Sequence, residues 1–91
     1  WEQRAATVRA EGMGAIVDAV ITRWFTPVFV AANEAAVQPV RERFLRIDPR
    51  GYAVCCAAIR DMDLRPRIGA IAAPTLIVAG ADDPATPVAL M

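Results

Sequence analysis

Apolar residues recur along most of this chain at the three-and-four spacing of a helix, and as a short unbroken run only near its end. Trp1, Ala5 and Val8 give the stretch from Trp1 to Ala10 one apolar face, and Gly12 and Gly14 then punctuate the chain. From Met13 the positions Met13, Ile16, Val17, Val20, Ile21 and Trp24 predict an amphipathic helix, with Asp18 and Thr22 on its other side. Thr26-Pro27 closes that helix, because a residue before proline is pushed out of the α region. Val28 to Ala32 is short and apolar, and reads as an extended segment or a loop packed on the helices. Asn33 is an N-cap for a helix to about Ile47, whose stripe is Val37, Val40, Phe44 and Ile47. Pro39 conflicts with that helix: beyond the first turn it predicts a kink, or a regular part that begins only near Gln38.

Asp48-Pro49 is a cleaner start, with the carboxylate as cap and proline at the first helical position. It predicts a helix to about Arg60 or Met62 that buries Tyr52, Cys55, Cys56, Ile59 and Met62. Asp63 caps one further turn with Leu64, Ile68 and Ile71 on one side. Then Pro74 blocks propagation, and Thr75 to Ala79 is apolar and β-branched between turn formers. That run predicts a strand apolar on both faces, the kind found in parallel sheets covered by helices. Gly80 ends it, two carboxylates come at once, and Pro84 and Pro87 keep the loop extended. The fold class expected is therefore mainly α, with four to five helices and one strand.

Composition narrows the chemistry. The 91 residues are one small domain at most, and ten basic residues balance ten acidic ones without a block of either sign. A nucleic-acid footprint is thus unsupported. The apolar fraction of 56% is high, yet no run approaches the ~18 residues of a membrane-spanning helix, so we expect no membrane partner. Every basic residue is arginine; lysine, histidine and serine are absent. Cys55 and Cys56 are adjacent, about 100° apart around a helix, and match no metal or CxxC spacing. They read as small core hydrophobes in a reducing compartment, and neither metal nor cofactor is expected.

Four strings together carry a family resemblance: WEQRAATVRAEGM, RWFTP, GYAVCCAAIRDMDLR and PTLIVAGADDPATP. They resemble the second half of an α/β-hydrolase of the 3-oxoadipate enol-lactonase type, over nearly the whole chain. The strand-Gly-x-x-Asp ending is shared by many α/β-hydrolases; the other strings carry the narrower assignment. The resemblance implies a helical cap over residues 1–71 and re-entry into the hydrolase core over 72–91. An α/β-hydrolase uses a serine on a Gly-x-Ser-x-Gly elbow, an acid and a histidine. Of these only the acid is represented, so we expect a fragment of a longer polypeptide, with the rest of the hydrolase core as its partner.

The resemblance places the acid that orients the catalytic histidine at Asp83, three positions after Gly80; Asp82 is the fallback if the frame is off by one. The competing reading is a solvated Asp-Asp-Pro turn. In the resembling enzymes the cap roofs the active site, which makes Trp24 a pocket wall and Arg23 a partner for the free carboxylate of an enol-lactone. Trp24 also continues its helix's core stripe, and Arg23 lies about 100° from it. Met13 and Tyr52 are further lining candidates. Arg60, Asp61, Asp63, Arg65 and Arg67 read as a solvated, partly paired rim.

Two function classes remain open. The first is part of a cytoplasmic hydrolase acting on a small-molecule lactone or ester, either 3-oxoadipate enol-lactone or the substrate of another cap-bearing esterase or perhydrolase; its parent could be fused to a carboxymuconolactone decarboxylase domain. The second is a non-catalytic helical module that binds a partner or a second copy of itself through its apolar faces.

Overall fold

A computed structural model describes residues 1–90; Met91, the last residue of the expected core segment, lies outside the described residues. The described residues form six α-helices: α1 (Glu2–Glu11), α2 (Val17–Trp24), α3 (Pro27–Ala32), α4 (Glu34–Leu45), α5 (Pro49–Asp61) and α6 (Arg65–Ile68). Two 3-10 turns, Met13–Ala15 and Val88–Leu90, complete the order. The molecule is thus mainly α, as expected.

The helix expected from Met13 begins only at Val17, after the 3-10 turn Met13–Ala15, and the core grows from the stripe that runs through both. Met13, Ile16, Val17, Val20 and Ile21 are buried together with Val8 of α1 and with Val37 and Phe44 of α4. Trp24, the last member of that stripe, is 56% exposed and only edges against Phe44, ring centroids 5.7 Å apart. A second cluster joins α1 to α5 through Ala5, Ala53 and Cys56, small side chains that let two helices approach closely. Trp1 does not join Ala5 and Val8; it lies exposed with the Arg4 guanidinium 5.2 Å from its ring centroid. Between α1 and α2 the chain turns at Gly12, whose φ of 82° is open to glycine at no steric cost.

The local signals succeed where a cap is made by near neighbours. Asp48 accepts a hydrogen bond from the Arg50 amide at 3.1 Å, with Pro49 at the first helical position. Thr26-Pro27 both ends α2 and begins α3: the Thr26 hydroxyl accepts from the Phe29 amide at 3.2 Å. Val28 to Ala32 is accordingly helical, neither extended nor loop, because threonine followed by proline is itself a helix-start pair. Asn33 stands at the cap position of α4, yet its side chain turns back and donates to the Phe29 carbonyl, closing α3 instead. Pro39 sits inside α4, which runs without a break from Glu34. The Arg41 guanidinium on the next turn pairs with Asp18 of α2, and Val37 and Phe44 bury beside it. Tertiary packing outweighs the proline here.

Three further expectations are corrected. Cys55 is exposed and only Cys56 is buried, because α5 turns its Ala53–Cys56 face to α1. Ile59 at the flank of α5 and Met62 just past its end are exposed, as are Leu64, Ile68 and Ile71 around α6. The strand expected at Thr75 to Ala79 is not formed: among the described residues there is no strand, and Leu76 and Val78 are 86% and 81% exposed. A strand is defined by its ladder, and the described residues supply no second one.

Candidate functional site

The last turn of α2, the Thr26 cap and the start of α3 face the loop Gly80–Ala85 across an open cleft of about 910 Å³. Thr22, Arg23, Trp24, Phe25, Thr26, Pro27 and Val28 line one side; Asp82, Asp83 and Pro84 lie on the other. Helix periodicity alone sets Arg23 and Trp24 about 100° apart. Here α2 stops at Trp24 and Phe25 is extended, so both side chains border the same space. Phe25 stacks on Phe29 with centroids 5.5 Å apart, which stiffens that wall.

Asp83 is half-buried and held by its own loop. Its Oδ1 accepts from the amides of Ala85 (2.7 Å) and Thr86 (3.1 Å), and its Oδ2 accepts from the Thr86 hydroxyl at 2.7 Å. These bonds, the Thr86 hydroxyl first, hold the Asp83 carboxyl below the usual carboxylate range, with the positive charge of Arg23 adding a smaller pull in the same direction. Asp82 lines the cleft with none of these bonds. The arrangement combines an ionised, oriented carboxylate, a guanidinium and an aromatic wall around one space, a set able to bind a small molecule that carries both charge and apolar surface.

Four candidates named from the sequence therefore meet here: Arg23, Trp24, Asp82 and Asp83. Met13 and Tyr52 do not line the cleft. Met13 is buried in the main core, and Tyr52 packs edge-on against Phe44 at 5.6 Å. Sequence reasoning missed Phe25, Thr26 and Thr86. The helix-start pair Thr26-Pro27 could have indicated the first two, and the Asp83-x-x-Thr86 spacing, a local capping pattern, the third. The expected rim is paired in part, Arg60 with Asp61 at 2.7 Å and Arg65 with Asp63 at 2.7 Å, while Arg60 also reaches Glu2 of α1 at 3.6 Å. Among the described residues no group of three His, Cys, Asp or Glu side chains is placed to hold a metal ion. Nor is any described helix long and apolar enough to cross a membrane.

Comparison with curated proteins gives the chain its relatives. It is 39% identical over 89 residues to 3-oxoadipate enol-lactonase 2 of Acinetobacter baylyi, covering 98% of this chain and 33% of that enzyme. It is 36% identical over 86 residues to 3-oxoadipate enol-lactonase 1 of the same organism, covering 94% of this chain and 32% of the enzyme. No family model matches the chain. No solved structure matches it either. The resemblance carried by the four sequence strings is thus shown: over nearly all of its length the chain is similar to 3-oxoadipate enol-lactonases. It spans about a third of the length of those curated relatives.

Proposed function

We propose that these residues are the cap and acid loop of an α/β-hydrolase that opens 3-oxoadipate enol-lactone, residues 1–71 forming the cap and 72–91 re-entering the core. A serine and a histidine from outside the 91 residues complete the catalytic set. In this reading the serine oxygen attacks the lactone carbonyl while the histidine takes its proton; the ring C–O bond then breaks, the leaving enol oxygen receives that proton, and a water molecule hydrolyses the acyl-serine ester. Asp83 accepts a hydrogen bond from the imidazole, fixing its tautomer and stabilising the imidazolium. Arg23 pairs with the free carboxylate of the lactone, and Trp24 covers its apolar side. The setting is cytoplasmic, in keeping with two free thiols.

The observation that carries this reading is the meeting of the α2 end and the acid loop across one cleft, in a chain similar throughout to enol-lactonases. The test is Asp83→Asn beside Asp82→Asn in the complete protein, assayed on the enol-lactone. Asp83→Asn should lower kcat by on the order of 10⁴ through the wrong tautomer, with the fold unchanged. Asp82→Asn should stay within a few-fold of the parent. Near-full turnover in Asp83→Asn would discredit the assignment, and the reverse order of effects would move the role to Asp82.

A further inference from the structure

We propose that Thr86 is the positioning residue of this site, the side chain that sets the direction in which Asp83 presents its carboxylate. The inference rests on the reading of Asp83 as the histidine-orienting acid. A carboxylate offers about four acceptor directions. Here three are filled, two on Oδ1 by the amides of Ala85 and Thr86 and one on Oδ2 by the Thr86 hydroxyl at 2.7 Å. Donors on both oxygens prevent the carboxyl group from rotating about its bond to Cβ. One direction on Oδ2 is left for an incoming N–H. The amides alone grip a single oxygen, so the hydroxyl is what turns a tethered group into an oriented one. Gly80 lies beneath this arrangement, and a Cβ there would stand 3.5 Å from the Asp83 Cβ. The position of the acid therefore has backbone on one side and the hydroxyl on the other.

The same bonds favour the charged form of Asp83. With the hydroxyl gone the carboxyl group can turn about its bond to Cβ, so an imidazolium facing it loses its aligned acceptor and gives up its proton at lower pH. Thr86 has no direct claim on the substrate: among the residues bordering the cleft it does not appear.

The experiment uses the complete protein with four variants, Thr86→Val, Thr86→Ala, Thr86→Ser and Asp83→Asn, and records kcat, KM and the pH profile of kcat/KM. Thr86→Val should lower kcat roughly 10- to 100-fold, the worth of one hydrogen bond to a charged group, with KM unchanged. Its acid limb should move to lower pH, and Thr86→Ser should restore both. Should Thr86→Val fail to fold, Thr86→Ala against Thr86→Ser carries the same contrast. Parent-like kcat and acid limb in Thr86→Val or Thr86→Ala, beside an inactive Asp83→Asn, overturn the proposal and leave the acid assignment standing. An active Asp83→Asn removes the acid assignment itself and this role with it.

Discussion

Asp83 shows how a side chain can organise the few residues just after it. Its three accepted bonds reach no further than Thr86, so the loop's geometry is written within four positions. Because those bonds favour the ionised form, the carboxyl group titrates lower when the loop is formed than when it is not. A depressed value means the stabilisation is fully present above the unfolded value of about 3.9 and is lost as pH falls through the folded one. The amide proton shifts of Ala85 and Thr86 should therefore titrate together with a midpoint below about 3.9. A midpoint at or above that value would mean the bonds are not made in solution. Local bonds of this kind are legible from sequence: Asp48 is recognisable as a cap because its partner is two residues away. Trp24 is not resolved in the same manner. Its spacing puts it on the core stripe, and only the end of α2 turns it out to border the cleft.

The helices illustrate the limit of propensity. In α4, Pro39 has no N–H to give the Ala35 carbonyl, and its ring crowds the preceding turn, yet the helix continues. What holds it is the burial of Val37 and Phe44 against α2 and the Arg41–Asp18 pair. Pro39→Ala should thus raise stability, by roughly 1–3 kcal/mol, read as a shifted urea midpoint. A loss of stability would show that the backbone fixed by Pro39 is what lets α4 lie along α2. The α1–α5 pair makes the complementary point. Periodicity allows either of two neighbouring faces of α5 to be the buried one, and the small side chains Ala5, Ala53 and Cys56 decide it by permitting close contact. Cys55, one position away, is left outside.

At the scale of the molecule, the apolar run Thr75 to Ala79 and the strand expected from it part company. Its residues have the composition of an inner strand, while Leu76, Ile77 and Val78 are exposed. Exposed apolar side chains also mark α6 and the outer face of α5, including Val54, Ile59 and Ile68. Such surface is unusual on a molecule that has finished burying its apolar residues. Under the proposed function, the missing sheet covers the run in the complete protein. Leu76→Asp should then bury an unpaired charge there and lower Tm by on the order of 10 °C. An unchanged Tm would mean that the run stays in water in the complete protein as it does here, and the proposed re-entry into the core would fall.

What the sequence by itself determined are the features made within a turn or two of helix: the caps at Thr26 and Asp48, the stop after Trp24, and the Met13–Ile21 stripe that seeds the core. Those depend on bonds and periodicities that a neighbour three or four positions away supplies. The tertiary structure decided which face of α5 is buried, how Pro39 is tolerated, and that Arg23 and Trp24 share a cleft with Asp83 some sixty positions later. It also left the apolar run without a ladder, since pairing requires a second strand and no spacing within one segment can provide it.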